Sequence, residues 1–404
     1  MAKYLFVVPP FYGHINPTLG IGSELLNRGH EVAWVGLIEI DHEFIPAGGK
    51  FIVPQELKDH KQEIEEILGI QDEGTKIRGL EILRFTMERT YIPFCNFMVK
   101  GLLRVIDEFQ PNVIIHDENM FAGAICATLK NIPYVTSIAI PPGIFQPSGK
   151  FSEFEKWQTQ QILNLQEKHG VSKNNKIVYS ELLNLVYTSR EFADNGGSFP
   201  NHYKFVGPII KGRKKVGKFD FEKLKKSKRP RIYISLGTVL NEIRNEFFTK
   251  IIEPFANEPL TVIVATNPDI FDTWPDNFIV QTFVPQSELL LHIDAIVYHG
   301  GFNTVNEALF HGIPMLIIPM AYDQFHIASL VVNSGSGLSL KYKRLRTEGL
   351  RKSLWEILQD PKYKHAALKI GETLQKAGGT KKAADLLENM SQVKIIKNLD
   401  VINL

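Results

Sequence analysis

The chain is poor in the residues that hold secreted or metal-dependent scaffolds together. Its 404 residues include only two cysteines, Cys95 and Cys126, which lie far apart with no other metal-ligating residues grouped around them. This scarcity excludes a disulfide framework and a thiolate zinc site. It is typical of proteins from reducing compartments, and we therefore expect a cytoplasmic protein.

Long apolar runs are absent as well. No run approaches the roughly 18 apolar residues that a membrane-spanning helix requires. The opening "MAKYLFVVPP" is also too short in its apolar part for a secretory signal. The sequence thus predicts no transmembrane segment and leaves peripheral contact with a membrane open.

The chain as a whole lacks an excess of charge of one sign, but one segment is strongly basic. The formal net charge is +2, whereas residues 209–231 hold 11 basic and 2 acidic residues, a local charge of +9. One interpretation of this segment is a surface for nucleic acid or another polyanion. We favour a solvated, extended linker between domains, because no second basic motif accompanies it, and we expect no nucleic-acid partner.

What the chain does have is a repeated alternation of apolar strand-like runs and helical stretches. In the first half the runs are "YLFVVPP", "EVAWVG", "PNVIIHD" and "PYVTSIAI", with helices predicted at Pro17 to Arg28 and Ala122 to Lys130. Residues 55–110 and 151–192 are predicted to be mostly helical. In the second half the runs are "RIYISLGT", "LTVIVAT", "NFIVQTFVP", "AIVYHGG" and "PMLIIPM".

This succession predicts an α/β protein with two Rossmann-like domains, each built on a parallel sheet. The length agrees, because 404 residues exceed what one ordinary core contains. We predict a first domain at residues 1–208, the basic linker at 209–230 and a second domain at 231–380. A helix and tail at 381–404 would pack back across the junction between the domains.

The segment richest in chemistry covers residues 283–324 and contains "DAIVYHGGFNTVNEAL". A glycine turn that opens a helix presents backbone N–H groups and the positive end of the helix dipole to a phosphate. Polar residues surround this turn: His299 ends the strand, Asn303 and Thr304 lie in the first helical turn, and Glu307 follows on the same helix face. Asp323 and Gln324 follow the next strand and reach the same edge of the sheet.

Simpler interpretations exist for the single residues. Thr304 and Glu307 also form a T-x-x-E capping box, which needs no ligand. His299 could be a core histidine whose hydrogen bonds are satisfied. These interpretations explain each residue separately, but they do not explain why the group crowds one edge of a sheet.

A second group of polar residues lies in the first half. "GHINP" follows the opening strand directly, and Asp117 ends the strand of "PNVIIHD", so His14 and Asp117 reach the same sheet edge. Histidine suits removal of a proton from an alcohol, and an aspartate would fix its tautomer. His116 alternates to the opposite side of the strand. Alternatively, His14 is an ordinary helix residue and Asp117 caps the following helix.

The order of these motifs resembles the donor-binding motif of the family 1 UDP-glycosyltransferases, enzymes of the GT-B fold. The plant form reads W-x-x-Q, H-C-G-W-N-S-x-x-E, G-V-P and D-Q. This chain has Phe283 and Gln286, then "HGGFNTVNE", "GIP" and "DQ". The stretch from Gln286 to His299 is two residues shorter, as in bacterial members. The resemblance implies two facing domains with a cleft between them.

The resemblance also implies a role for each matching residue. Phe283 stands where a tryptophan stacks on the base, with less area for stacking. By the same resemblance, the backbone of Val284 contacts the base, and Gln286 and Glu307 contact the ribose. The implied diphosphate contacts are His299, Gly301, Asn303, Thr304 and Thr238. The implied contacts to the sugar hydroxyls are Asp323 and Gln324. His14 and Asp117 are implied as the catalytic pair.

Metal-dependent glycosyltransferases of the other major fold use a D-x-D pair, and no two aspartates here are separated by one residue. We expect no metal and no cofactor, with the nucleotide sugar as co-substrate. The predicted reaction is an inverting transfer of a hexose, glucose first, from a UDP-sugar to a hydroxyl of a hydrophobic small molecule. Candidate acceptor-pocket residues are Phe85, Met87, Phe94, Met120, Phe121 and Phe145.

Two alternatives stay open, and a third is disfavoured. The donor could be a dTDP-deoxysugar of natural-product biosynthesis. The chain could be a helper that binds a nucleotide sugar without catalysis, although such a helper would be expected to lose His14. An epimerase or a phosphorylase of related architecture lacks this order of motifs. The sequence does not fix the oligomeric state.

Overall fold

Two all-parallel sheets form the framework of the protein. The computed structural model describes residues 1–70, 77, 79–142, 152–193, 199–210, 219–236 and 244–393. Within these residues, a seven-stranded and a six-stranded sheet are present, and their strands pair in parallel. The strands are β1 Lys3–Val7, β2 Glu31–Val35, β3 Lys50–Ile52, β4 Val113–Asp117, β5 Tyr134–Ile138, β6 Asn184–Val186, β7 Tyr203–Phe205, β8 Arg231–Ser235, β9 Thr261–Ala265, β10 Phe278–Gln281, β11 Ala295–Tyr298, β12 Met315–Ile317 and β13 Gly337–Ser339.

The helices lie between these strands in the order that parallel crossovers require. The α-helices are α1 Tyr12–Asn27, α2 Lys61–Gly69, α3 Leu80–Thr86, α4 Ile92–Phe109, α5 Ala122–Leu129, α6 Ser152–Lys168, α7 Arg190–Ala193, α8 Phe221–Lys226, α9 Arg244–Phe255, α10 Gln286–Leu289, α11 Phe302–Phe310, α12 Gln324–Asn333, α13 Thr347–Gln359, α14 Pro361–Lys376 and α15 Gly379–Met390. Short 3₁₀ and π segments are His42–Phe44, Gln55–His60, Met87–Tyr91, Pro268–Ile270, Leu290–His292 and Tyr342–Arg344. Among the described residues, no helix combines the length and apolar composition that crossing a membrane requires.

The chain divides into two compact units, each with one sheet. The first unit comprises the described residues of Met1–Thr188, Gly196–Lys214 and Ala377–Leu404. The second comprises those of Ser189–Asn195 and Lys215–Lys376. The strand orders are β3-β2-β1-β4-β5-β6-β7 and β10-β9-β8-β11-β12-β13. In each sheet the chain reverses its direction of strand addition once, between β1 and β4 and between β8 and β11.

Burial explains why the central strands are the most apolar runs of the sequence. All five residues of β4 and all five of β8 are buried, because helices cover both faces of each sheet. The α/β class and the parallel sheets predicted from the sequence are thereby confirmed. The four runs predicted in the first half and the five in the second half coincide with β1, β2, β4, β5 and β8 to β12.

Three predictions of local structure are wrong. Helix α1 begins at Tyr12, not at Pro17, and Pro17 lies inside it. The rule that proline occupies the first helical position misplaces this start. Residues 151–192 are not helical throughout, because α6 ends at Lys168 and the strand β6 follows at Asn184–Val186. The three-residue strands β3, β6, β7 and β13 were all missed, whereas β12, which is equally short, was predicted because it lies in the longer apolar run "PMLIIPM".

Part of the basic segment 209–230 is a helix and is not extended. Asp220 caps α8 by accepting a hydrogen bond from the backbone N–H of Lys223 at 2.9 Å. Leu224 on this helix is fully buried in the core of the second unit. Its lysines thus form the exposed face of a short amphipathic helix. Residues 211–218 lie outside the described part of the chain.

The C-terminal helix α15 completes the core of the first unit. It packs on α1 and buries Ala383, Ala384 and Leu387 in the same apolar cluster as Tyr4 and Leu25. Ion pairs border this contact: Arg28 Nη1 lies 2.7 Å from Asp385 Oδ1 and 2.6 Å from Glu388 Oε2. The first unit therefore depends on residues from both ends of the described chain.

We predict that Leu387→Ala destabilises the first unit. Removal of a fully buried leucine leaves a cavity and costs about 2–5 kcal/mol. Urea denaturation followed by tryptophan fluorescence measures the loss. Leu291→Ala serves as the control, because Leu291 is 62% exposed and its loss should stay within about 0.5 kcal/mol. Equal losses for the two variants would show that α15 contributes nothing to this core.

Candidate active site

His14 and Asp117 form a hydrogen-bonded pair at the carboxyl edge of the first sheet. Strands β1 and β4 are neighbours, with Val7 opposite His116, so the segments that follow them begin side by side. His14 lies in the first turn of α1 with its Nδ1 2.8 Å from Asp117 Oδ2. The Asp117 side chain is fully buried, whereas that of His14 is 15% exposed. The sequence predicted this proximity from the two strand ends.

Both carboxylate oxygens of Asp117 are engaged. Oδ2 meets His14, and Oδ1 accepts from the backbone N–H of Asn119 at 3.0 Å. Since a carboxylate can only accept, Nδ1 of His14 carries the proton, and Nε2 of this tautomer is the ring atom able to accept one. The alternative that Asp117 caps the next helix is wrong, because the N-cap of α5 is Phe121.

His116 has a structural position in the sheet. It is fully buried, its Nδ1 lies 3.0 Å from the Asp117 carbonyl oxygen, and its Nε2 lies 3.2 Å from Thr136 Oγ1. Burial lowers the pKa of His116 to about 4. The ring is therefore neutral and enclosed, as expected from strand alternation.

Glu118 and Asn119 immediately follow Asp117 and were not among the site residues predicted from the sequence. Both are 3% exposed. Burial and the neighbouring Asp117 raise the pKa of Glu118 to about 8, while His14 opposes the shift. The sequence feature that could have identified them is "HDEN", four polar residues in succession directly after the apolar run of β4. Such a run at a buried strand end indicates an enclosed polar cluster.

In the second unit, the turn between β11 and α11 requires glycine for two different reasons. Gly300 has φ of 104°, a left-handed conformation that side chains disfavour. At Gly301 the constraint is space, because a Cβ atom there would lie 2.7 Å from Tyr298 Oη and 3.1 Å from His299 Nε2. Gly301 is also the N-cap of α11 and provides no side-chain cap. The first N–H groups of that helix are thus suited to a bound anion.

His299 is buried beside this turn, with 5% exposure. Burial lowers the pKa of His299 to about 3, and a hydrogen bond with the Ser235 backbone opposes the shift only in part. Its Nδ1 has no hydrogen-bond partner among the described residues. A neutral imidazole beside this turn carries no full charge, and its Nδ1 can form one further hydrogen bond.

Gln286, Thr304 and Glu307 converge in one hydrogen-bonded group. Gln286 Nε2 donates to Glu307 Oε2 at 2.9 Å and lies 3.3 Å from Thr304 Oγ1. Thr304 and Glu307 are buried inside α11, three and six residues past its N-cap. The capping-box interpretation of this T-x-x-E pattern is therefore wrong. The pattern instead points two polar side chains at Gln286 on α10.

The other predicted donor residues differ in exposure. Phe283 is 66% exposed, which leaves its ring open to a planar ligand. Asn303 and Asp323 are half-buried. Gln324 is 4% exposed, and its Oε1 accepts from the backbone N–H groups of Met320 and Ala321 at 2.9 and 3.0 Å.

Val284 is half-buried and packs against the core of the second unit, and Thr238 lies outside the described residues. Among the candidate acceptor residues, Met87, Phe94, Met120 and Phe121 belong to the core of the first unit. Phe145 lies outside the described part of the chain. Within that part, no group of three or more His, Cys, Asp or Glu side chains is arranged to hold a metal ion.

Known proteins share this sequence pattern and this fold. Residues 186–377 match the family model of the UDP-glucoronosyl and UDP-glucosyl transferases. The uncharacterized UDP-glucosyltransferase YojK of Bacillus subtilis is 27% identical and covers 97% of this chain and 98% of its own length. Among solved structures, the calicheamicin glycosyltransferase CalG4 gives a TM-score of 0.77 at 22% identity, over 96% of this chain and 98% of its own. The glycosyltransferase VinC in complex with dTDP gives 0.72 at 20% identity, over 96% and 99%.

These matches confirm the resemblance to the family 1 UDP-glycosyltransferases and the GT-B fold. The chain is an enzyme of the glycosyltransferase class.

The buried histidines predict a loss of stability in mild acid. The pKa of His299 in the folded state lies below its unfolded value of about 6.5, so this contribution to stability is present above pH 6.5 and is lost as the pH falls toward 3. We expect the free energy of unfolding to decrease between pH 7.5 and 4.5 in the wild type. In His299→Asn this decrease should be about 2–3 kcal/mol smaller.

Urea denaturation at the two pH values measures this difference. The exposed His42 provides the control, and His42→Asn should retain the wild-type pH dependence. An unchanged pH dependence in His299→Asn would contradict the burial argument.

Proposed function

We propose that this glycosyltransferase transfers a hexose, glucose first, from a UDP-sugar to a hydroxyl group of a hydrophobic small molecule with inversion at the anomeric carbon. The observation that carries the proposal is the 2.8 Å hydrogen bond between His14 Nδ1 and the buried Asp117. A partly exposed histidine oriented by a buried carboxylate is the arrangement that general-base catalysis on an alcohol requires.

His14 supplies the base chemistry. Its Nε2 takes the acceptor's proton, and the acceptor oxygen attacks the anomeric carbon as the bond from that carbon to the diphosphate breaks. Asp117 stabilises the imidazolium that forms. An α-linked donor then gives a β-glycoside. General bases of this kind contribute ~10²–10⁴ in rate.

Stabilisation of the departing diphosphate is assigned to the second unit. The N-terminus of α11 presents backbone N–H groups behind Gly301, with Asn303 and Thr304 in the first turn. Charge that develops on the leaving group is met by these donors and by His299. We propose that no metal ion is needed, because the donors at this helix end supply the stabilisation.

Three observations support a UDP-sugar donor. The matching family model and YojK are both named for UDP-sugar transfer. The exposed ring of Phe283 is suited to stacking on a base. The carboxylate of Glu307, held by Gln286, is suited to accepting from ribose hydroxyls. The complex of VinC with dTDP supports a dTDP-sugar as the alternative.

A hydrophobic acceptor is supported by the apolar side chains of the candidate acceptor residues, such as Phe85 and Phe121. A thermal-shift panel of nucleotide sugars identifies the donor. Release of nucleotide diphosphate on addition of small aromatic alcohols then separates an enzyme from a non-catalytic binder.

Replacement of the base should remove turnover without removing donor binding. We expect His14→Ala to lower kcat by about 10²–10⁴, because the acceptor hydroxyl then lacks a proton acceptor. Asp117→Asn should lower kcat to a similar degree, because an amide can leave Nδ1 unprotonated and supply the wrong tautomer.

Both variants should retain the wild-type Kd for the nucleotide by calorimetry. His42→Ala is the control for loss of a histidine, since His42 is exposed. Full turnover in His14→Ala would refute the assignment of the base.

Loss of the Glu307 carboxylate should act on donor affinity. We expect Glu307→Ala to raise the Kd for UDP by about tenfold or more, because a buried hydrogen bond to a charged group contributes about 1.5–3 kcal/mol. Glu348→Ala, which removes an exposed carboxylate from α13, should leave the Kd unchanged. An unaltered Kd in Glu307→Ala would show that this carboxylate does not contact the nucleotide.

A further inference from the structure

Glu118 is a buried acid with no role in the proposed reaction. It follows Asp117 directly, and its side chain is enclosed with 3% exposure. Its own backbone N–H continues the β-ladder one residue beyond β4 by donating to the Ser137 carbonyl oxygen at 3.1 Å. The position of Glu118 is therefore fixed by the same strand end that presents Asp117 to His14.

The carboxyl group of Glu118 joins three segments of the first unit. Oε1 accepts from the backbone N–H groups of Ala139 and Ile140 at 3.0 and 3.2 Å, directly after β5. Oε2 lies 3.4 Å from the hydroxyl of Tyr179, which precedes β6. A single side chain thus connects the ends of two neighbouring strands and the segment that leads into a third.

The titratable groups that face Glu118 come from several segments of the first unit. His14 and Asp117 face it from α1 and β4, the hydroxyl of Tyr179 faces it from the segment before β6, and Tyr187 follows β6 nearby. Burial and the Asp117 charge raise the pKa of Glu118 to about 8. Two adjacent buried carboxylates are costly to ionise together. Asp117 accepts hydrogen bonds from His14 and from the Asn119 N–H.

We propose that Glu118 is a positioning residue for the His14–Asp117 pair. Its carboxyl group holds the end of β4 against the segment after β5 through the N–H groups of Ala139 and Ile140. The proposal rests on the proposed function for its kinetic consequence. Its structural consequence is independent of any substrate.

The kinetic test compares Glu118→Gln with Glu118→Ala. Glutamine keeps the acceptor for the Ala139 and Ile140 N–H groups and cannot ionise, so kcat should fall by no more than about threefold. Alanine removes the connection, and a displaced Asp117 should lower kcat ~10–100-fold while KM for the donor stays unchanged. Glu63→Gln, an exposed position on α2, is the control.

The pH profile adds a readout that a purely structural role would not alter. Ionisation of Glu118 near pH 8 places a second negative charge beside Asp117. Wild-type kcat should consequently change above pH 8, and this change should be weaker in Glu118→Gln. Equal losses of kcat in the glutamine and alanine variants, or full activity in the alanine variant, would overturn the proposal.

Two measurements without substrate separate failure of this proposal from failure of the proposed function. In ¹⁵N-histidine NMR spectra, the Nδ1–H signal of His14 should persist in Glu118→Gln and weaken or vanish in Glu118→Ala. Its persistence in the alanine variant would overturn the proposal even if no acceptor is ever found.

The second measurement is the pH dependence of Tm. It compares the wild type with Glu118→Gln and therefore tests the proposal even if Glu118→Ala does not fold. The pKa of folded Glu118 is above its unfolded value of about 4.3, so its contribution to stability is complete below pH 4 and is lost as the pH rises toward 8. The Tm of the wild type should fall by roughly 5 °C or more relative to Glu118→Gln between pH 5 and 9. Parallel Tm curves would overturn the proposal.

Discussion

Each sheet places its candidate site residues where the direction of strand addition reverses. In the first sheet this point lies between β1 and β4, and in the second between β8 and β11. The segments that leave two such strands go to opposite faces of the sheet, so the carboxyl edge between them is not covered by a crossover. His14 and Asp117 follow from this constraint in one unit, as do Ser235, His299 and Gly301 in the other. The rest of each site is arranged around these two strand ends.

Burial at these edges determines which groups carry charge. His116 and His299 lie in low-dielectric surroundings that hold both rings neutral, and Glu118 is held in its acid form by the same effect. The Asp117 carboxyl group beside Glu118 is fully buried as well. It accepts two hydrogen bonds, from His14 and from the backbone N–H of Asn119. The two neighbouring acids thus differ in their partners: Asp117 meets the His14 ring, whereas Glu118 meets the backbone N–H groups of Ala139 and Ile140.

The sequence predicted the sheets' central strands and the two site edges because both depend on local patterns. Buried strands in parallel sheets are continuous apolar runs, and polar residues at their ends stand out against them. Most of the three-residue strands, such as β6, were not predicted from such a pattern, and they are defined by pairing with their neighbours. The start of α1 was misplaced for a related reason, since Pro17 is tolerated within the helix. Predictions failed where tertiary contacts outweigh the local rule.

The T-x-x-E pattern shows why a site can be located from sequence before its contacts can be assigned. The spacing of Thr304 and Glu307 satisfies a capping box, yet both residues lie inside α11 and meet Gln286 from another helix. A spacing rule specifies that two side chains share a helix face, and it does not specify what that face meets. For Gln286 the missing information is the packing of α10 against α11. The same limit applied to Glu118, whose partners Ala139 and Tyr179 lie about 20 and 60 residues further along the chain.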